Sequence, residues 1–104
     1  MRERLAKRVL TEMELEKYAS LKESAYFLAK RWAGKEAAAK ALGRGIADGI
    51  SFKNFEIQSL ASGQPKLVIS GRALDIAKEL GANNWHISLS DEAVYATAFV
   101  VLSR

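Results

Sequence analysis

One stretch limits more than any other what this chain can fold into: Arg31-Trp32-Ala33-Gly34-Lys35-Glu36-Ala37-Ala38-Ala39-Lys40. Alanine is the strongest helix former, so these residues predict the middle of a long helix. Gly43-Arg44-Gly45 ends it, because glycine accepts the left-handed backbone that stops a helix. Helical spacing puts Glu36 and Lys40 one turn apart on the side of Trp32, and Arg31 and Lys35 on the neighbouring side. Glu36 followed by Lys40 is also the ordinary ion pair of an exposed helix. The second reading is chemical. A carboxylate among cations on a rigid helix, beside a turn with accessible N–H groups, suits a metal-bound phosphate compound.

The rest of the composition narrows the class. At 104 residues the chain is one domain's length. With 49% hydrophobic and 27% charged residues it has a globular composition. It has no cysteine, which excludes disulfides and thiolate metal sites. No apolar run is long enough for a membrane span. Met1-Arg2-Glu3-Arg4-Leu5 lacks the apolar stretch of a signal peptide, so a cytoplasmic location is the default expectation. The net charge of +4 is modest, but it is unevenly placed. Arg2, Arg4, Lys7 and Arg8 crowd one end, and Lys30, Arg31, Lys35, Lys40 and Arg44 follow the central helix. Such a surface suits an anionic partner. No nucleic-acid motif is present, so a nucleic-acid partner is not expected.

In chain order, residues 2–9 read as a basic helix with Leu5, Val9 and Leu10 turned inward. Thr11 and Glu14 form a capping box for a helix to about Ser20, with Met13, Leu15 and Tyr18 as its buried side. The long helix spans about residues 24–42, with Phe27, Leu28, Trp32, Ala33 and Ala39 apolar. Gly34 inside it suggests the close approach of another element. Residues 52–60 alternate, Phe55 and Ile57 opposite Glu56 and Gln58, so they read as a strand. Ser62-Gly63-Gln64-Pro65 turns the chain into a returning strand at 66–70. A short helix from Gly71 places Leu74, Ile76, Ala77 and Leu80 inward and stops at Gly81. Residues 85–90 put Trp85, Ile87 and Leu89 on one face and His86, Ser88 and Ser90 on the other. After a turn at Asp91-Glu92, residues 95–102 read as an antiparallel central strand. The expectation is an α+β domain, with a long central helix on a small, mainly antiparallel sheet of four strands. The edges of so small a sheet need covering.

At Trp32-Ala33-Gly34-Lys35-Glu36-Ala37-Ala38-Ala39-Lys40-Ala41-Leu42-Gly43-Arg44-Gly45-Ile46 the chain resembles the holo-acyl-carrier-protein synthases. These are the small single-domain 4'-phosphopantetheinyl transferases. Their signature is an aromatic, a Lys-Glu-Ala core, a second Lys one turn on and a Gly-x-Gly-Ile exit. Arg8-Val9-Leu10-Thr11, Phe27-Leu28-Ala29-Lys30-Arg31, Gly63-Gln64-Pro65 and His86-Ile87-Ser88-Leu89-Ser90 keep the family order. The resemblance covers the chain from Leu5 onward.

The resemblance implies Mg²⁺-dependent transfer of 4'-phosphopantetheine from coenzyme A to a serine of apo acyl carrier protein. The products are the holo carrier that fatty-acid synthesis uses and adenosine 3',5'-bisphosphate. Glu36 matches the family's helix carboxylate ligand for magnesium, and it or a metal-bound water accepts the serine proton. Lys40 matches the lysine near the reacting phosphate. Arg31, Lys35, Gly43 and Gly45 fall near coenzyme A phosphates, and Pro65 falls in a turn touching the adenine. Arg4 and Arg8 align with the arginines that dock the acidic carrier protein. The family forms homotrimers with active sites between subunits. Many members carry His where this chain has Asp91, and His86 is its single histidine, whose plainer reading is a buried or edge-strand residue satisfied by a neighbour. The family's Gly-x-Gly-x-Asp strand, source of the other magnesium ligand, has no counterpart here, and Met1 falls inside the family's first helix. The alternative is therefore a non-catalytic module that binds acyl carrier protein or coenzyme A.

Overall fold

The computed structural model describes residues 2–91 and 96–103. Helix α1 (Arg2–Val9) leads into α2 (Glu12–Ser20) and the long α3 (Ser24–Ala41). A 3-10 turn at Phe52–Asn54 introduces the hairpin of β1 (Phe55–Ser59) and β2 (Pro65–Ile69). Helix α4 (Gly71–Glu79) connects it to a second hairpin, β3 (Asn84–Asp91) and β4 (Ala96–Ser103). The class is α+β, as expected, and α3 packs across both hairpins. Glu92 of the expected turn and Tyr95 of the expected last strand lie outside the described residues.

The sheet differs from the expectation. The described residues form two separate two-stranded antiparallel sheets, not one of four strands. In the first, Ile57 lies opposite Leu67 and Ser59 opposite Pro65. Proline has no N–H to give a ladder, so its place is the first residue of a strand, as here. The hairpins lie side by side, and the Trp85 indole N–H donates to the Leu67 carbonyl at 2.9 Å. A side chain thus makes the join that a backbone ladder would make in a continuous sheet.

Among the described residues two apolar groups are buried. Ala38 and Ala39 of α3 and Leu42 at its cap meet Phe55, Ile57, Leu67 and Ile69 of the first hairpin and Ala73, Ile76 and Ala77 of α4. Ala6, Val9 and Leu10 meet Tyr18, Phe27 and Leu28 where the three N-terminal helices cross. Each large side chain so buried contributes about 1.5–3 kcal/mol. Three residues expected inside are outside: Met13 is 60% exposed, Leu80 48% and Trp32 37%. The inward face of α2 consists instead of Glu14 and Tyr18, for a reason given below.

Gly34 is where α3 comes closest to the hairpins. A β-carbon there would stand 2.6 Å from Ile57 Cδ1, 3.0 Å from Leu89 Cδ2 and 3.1 Å from Ile87 Cδ1. The approach expected from the sequence is therefore real and three-sided. Gly34→Ala adds one methyl against flexible side-chain ends and gains about 1 kcal/mol of helix propensity, so it should change stability little. Gly34→Leu should destabilise by about 1–3 kcal/mol or more through overpacking. Chemical denaturation of both variants checks this; a Leu variant as stable as wild type would show that the helix is not in close contact there.

Candidate functional site

The Glu14 carboxylate is where the N-terminal helices, α3 and β1 meet. Thr11 caps α2, and its backbone N–H donates to Glu14 Oε1 at 2.9 Å, completing the expected capping box. The same oxygen takes the Lys35 ammonium at 2.5 Å, and Oε2 takes the Ile57 N–H at 2.8 Å. Lys35 Nζ also donates to the Val9 carbonyl at 2.6 Å. Lys35 is fully buried and Glu14 is 2% exposed. An unpaired charge at that depth is strongly destabilising, so each requires the other. This corrects the expectation for Lys35. Its ammonium has no exposed surface with which to reach a coenzyme A phosphate, and it holds helices together instead. Burial pushes its pKa down, and Glu14 pulls it back.

Arg31, one turn earlier on α3, reaches the same carboxylate. Its Nε stands 3.8 Å from Glu14 Oε2, and its Nη2 donates to Ser59 Oγ at 3.2 Å. The guanidinium lies 4.5 Å from the centre of the Phe27 ring, within cation–π range. Burial lowers its pKa against the pull of Glu14. Arg31 lines an open cleft of about 340 Å³ with Met13, Lys17, Phe27, Glu56 and Gln58. Glu56 closes one side, accepting from Thr11 Oγ1 at 2.6 Å and Gln58 Nε2 at 2.9 Å. These two donors hold its carboxyl below its usual value.

The opposite stripe of α3 faces solvent. Trp32, Glu36 and Lys40 are all exposed, on one side as the spacing requires. The glycine turn follows, with Gly43 at φ +80° and Gly45 at φ +68°. Its N–H groups are not available to a ligand as expected. Gly43 donates to the Lys40 carbonyl at 2.8 Å, and Arg44 and Gly45 to that of Ala39 at 3.4 and 3.2 Å. They satisfy the helix C-terminus, whose carbonyls would otherwise be orphaned. The turn's value to a ligand is room: a β-carbon on either glycine would have nothing within 4 Å.

The remaining candidates lie apart. Arg4 and Arg8 are exposed on α1. Pro65 lines a groove of about 690 Å³ between the hairpins, together with Gln64, Lys66, Trp85 and His86. His86 is exposed on β3 rather than buried. Among the described residues no group of three or more histidine, cysteine, aspartate or glutamate side chains could hold a metal ion. Glu36 is a single hard-oxygen donor. That suits magnesium, which usually takes one or two protein carboxylates with water and substrate phosphates. No helix among the described residues is long and apolar enough to cross a membrane.

The model of the 4'-phosphopantetheinyl transferase superfamily matches residues 1–100. The holo-[acyl-carrier-protein] synthase of Vibrio cholerae is 49% identical over 102 residues, which are 98% of this chain and 81% of that protein. The crystal structure of the Neisseria meningitidis holo-[acyl-carrier-protein] synthase superposes with a TM-score of 0.87 at 39% identity, covering 97% of this chain and 81% of that one. A Bacillus anthracis holo-(acyl-carrier-protein) synthase in complex with CoA (3',5'-ADP) superposes with a TM-score of 0.83 at 34% identity, covering 98% and 82%.

The two lysines of α3 should separate cleanly by stability. Lys35→Met strands the Glu14 carboxylate and should cost about 3–5 kcal/mol. Lys40→Met changes an exposed residue and should stay within about 0.5 kcal/mol. Denaturant titration of the two variants decides it, and equal costs would refute the division of labour. The depressed carboxyl of Glu56 contributes stability that is present above its ordinary value of 4.5 and lost as pH falls through its lower folded value. Glu56→Gln should therefore lower Tm near neutrality, and the gap from wild type should close on acidification. A gap independent of pH would rule out that contribution.

Proposed function

The chain belongs to the 4'-phosphopantetheinyl transferase superfamily, and on that premise we propose that it acts as a holo-[acyl-carrier-protein] synthase. It transfers 4'-phosphopantetheine from coenzyme A to a serine hydroxyl of apo acyl carrier protein. The observation that carries the reading is the 49% identity to a holo-[acyl-carrier-protein] synthase across 98% of this chain. The coenzyme A complex of a structural relative supports the choice of donor.

In the reaction the serine oxygen bonds to the pantetheine-bearing phosphorus. The bond from that phosphorus to the oxygen of adenosine 3',5'-bisphosphate breaks, and the serine proton leaves to a base. Little covalent work falls to the protein, which must position the groups and offset charge. Glu36 is the residue that would hold magnesium, which when bound draws charge from the phosphorus. Lys40, exposed one turn on, offsets charge on the reacting phosphate. Arg31, at the edge of its cleft, takes a second anionic group of the donor. Gly43 and Gly45 let the donor approach the end of α3, and Pro65 meets its adenine. The exposed Arg4 and Arg8 of α1 steer the acidic carrier protein. The whole chain works as one cytoplasmic transferase domain serving fatty-acid synthesis. It assembles as a homotrimer with active sites between subunits, which covers the open hairpin edges and the exposed Val101 of β4.

The decisive experiment is the intact mass of apo acyl carrier protein after incubation with this chain, coenzyme A and Mg²⁺. The expected result is a gain of one phosphopantetheine that chelation abolishes. Glu36→Gln should reduce the rate by roughly 100-fold or more while leaving the circular dichroism unchanged. Full activity in that variant would remove Glu36 from the metal site. Coenzyme A bound without any mass gain would make the chain a binding module instead.

A further inference from the structure

Arg31 is held on three sides but satisfied on only two. Nη2 has Ser59 and the guanidinium face has Phe27, whereas the buried Nε has no hydrogen-bond partner among the described residues. At 3.8 Å the Glu14 carboxylate is beyond hydrogen-bond reach of Nε, so it acts on Arg31 by charge. Glu14 is not free to close the gap. Its oxygens are fastened to Thr11 at the cap of α2, Lys35 on α3 and Ile57 on β1. Lys35 alone would neutralise it, so fold stability does not require Arg31 as well. A buried donor without a partner costs about 1–3 kcal/mol. A purely structural arginine would be expected to rotate until every donor was met.

We propose that Glu14 is a positioning residue for the transfer reaction. It clamps α3 to β1 and, through charge, holds the Arg31 guanidinium side-on in the cleft between α2, α3 and β1, ready for an anionic group of the donor. The inference rests on the transferase reading above and adds to it a residue that touches no substrate. The cleft is mixed in sign, since Glu14, Lys17 and Glu56 line it with Arg31, although Glu14 is only 2% exposed. Glu56 is turned to Thr11 and Gln58, which leaves Arg31 and Lys17 as the cations facing an incoming anion. Without Glu14, Arg31 keeps its charge and its cleft but loses the fixed orientation.

Replacing Glu14 alone strands the Lys35 ammonium, so the test variant is the charge-neutral Glu14→Gln/Lys35→Met pair, assayed well below its measured Tm. The readouts are kcat and KM for coenzyme A, from the mass gain of apo acyl carrier protein, with and without Arg31→Ala. Arg31→Ala in the wild-type background should raise KM about tenfold, as loss of a binding contact does. The paired variant should raise KM similarly with kcat nearly unchanged. Adding Arg31→Ala to it should cost little more, because residues acting through one another are not additive. An unchanged KM in the folded pair, a loss confined to kcat, or full additivity with Arg31→Ala would overturn the positioning role while leaving the transferase reading intact. No transfer by wild type would overturn the transferase reading, and this inference with it.

Discussion

A carboxylate buried where α2, α3 and β1 meet is the constraint on which this structure depends. Glu14 cannot be withdrawn from water unless its charge and lone pairs are met. They are met by a cap on α2, an ammonium from α3 and the Ile57 amide of β1. Ile57 is opposite Leu67 in the hairpin register, yet its N–H goes to Glu14. That amide would otherwise be an unpaired donor on the far side of β1. One side chain therefore closes the start of α2, fixes the rotation of α3 and satisfies a strand edge. Replacing such a cluster with apolar residues can be neutral or even favourable in other proteins. What the ions add is direction: oil-like contacts tolerate rotation of a helix, whereas a short ion pair does not.

That direction divides α3 into two sets of charges. Arg31 and Lys35 follow one line inward to Glu14, and Glu36 and Lys40, displaced by one residue, follow another line to solvent. A one-residue step turns a helix by about 100°, enough to carry a cation from the core to the surface. The inward pair sets the geometry, and the outward pair stays open to solvent. Gly34 belongs to the same arrangement. By letting Ile57, Ile87 and Leu89 come close, it seats the helix on both hairpins and leaves its polar stripe uncovered.

Much of this was legible in the sequence. Local chemistry alone dictates the alanine-rich helix, the Thr11–Glu14 box, the alternation at Phe55 to Gln58 and the approach at Gly34. The structure departs from the sequence pattern where a side chain answers to a distant partner. Glu14 looked like a cap and no more, because nothing in its spacing announces Lys35, 21 positions away. Once Glu14 and Tyr18 fill the inward face of α2, Met13 has no room there and turns out. Lys35 looked like a phosphate ligand because helical spacing gives relative angles but not the absolute rotation of the helix. The two hairpins are joined by the Trp85 indole donating to Leu67 and not by a backbone ladder, a contact that periodicity cannot express.

The glycine turn shows how such long-range satisfaction limits function. An N–H-lined turn draws phosphate when its donors are free and a helix N-terminus lies behind it. Here the turn follows a helix C-terminus, where the dipole is negative, and its N–H groups return to Lys40 and Ala39. Backbone attraction for an anion is therefore weak at this end of α3. On the proposed transferase reading, charge recognition rests instead on side chains, on Lys40 at the surface and Arg31 in its cleft. Lysine supplies a mobile point charge and arginine a planar fork whose usefulness depends on its orientation. The arginine is the one fixed by neighbours, with Phe27 under its face, Ser59 at one end and Glu14 beside it. An enzyme that must separate two ends of one anionic donor gains from this asymmetry. The rigid cation can set where the donor lies, and the flexible one can follow charge as it shifts during transfer.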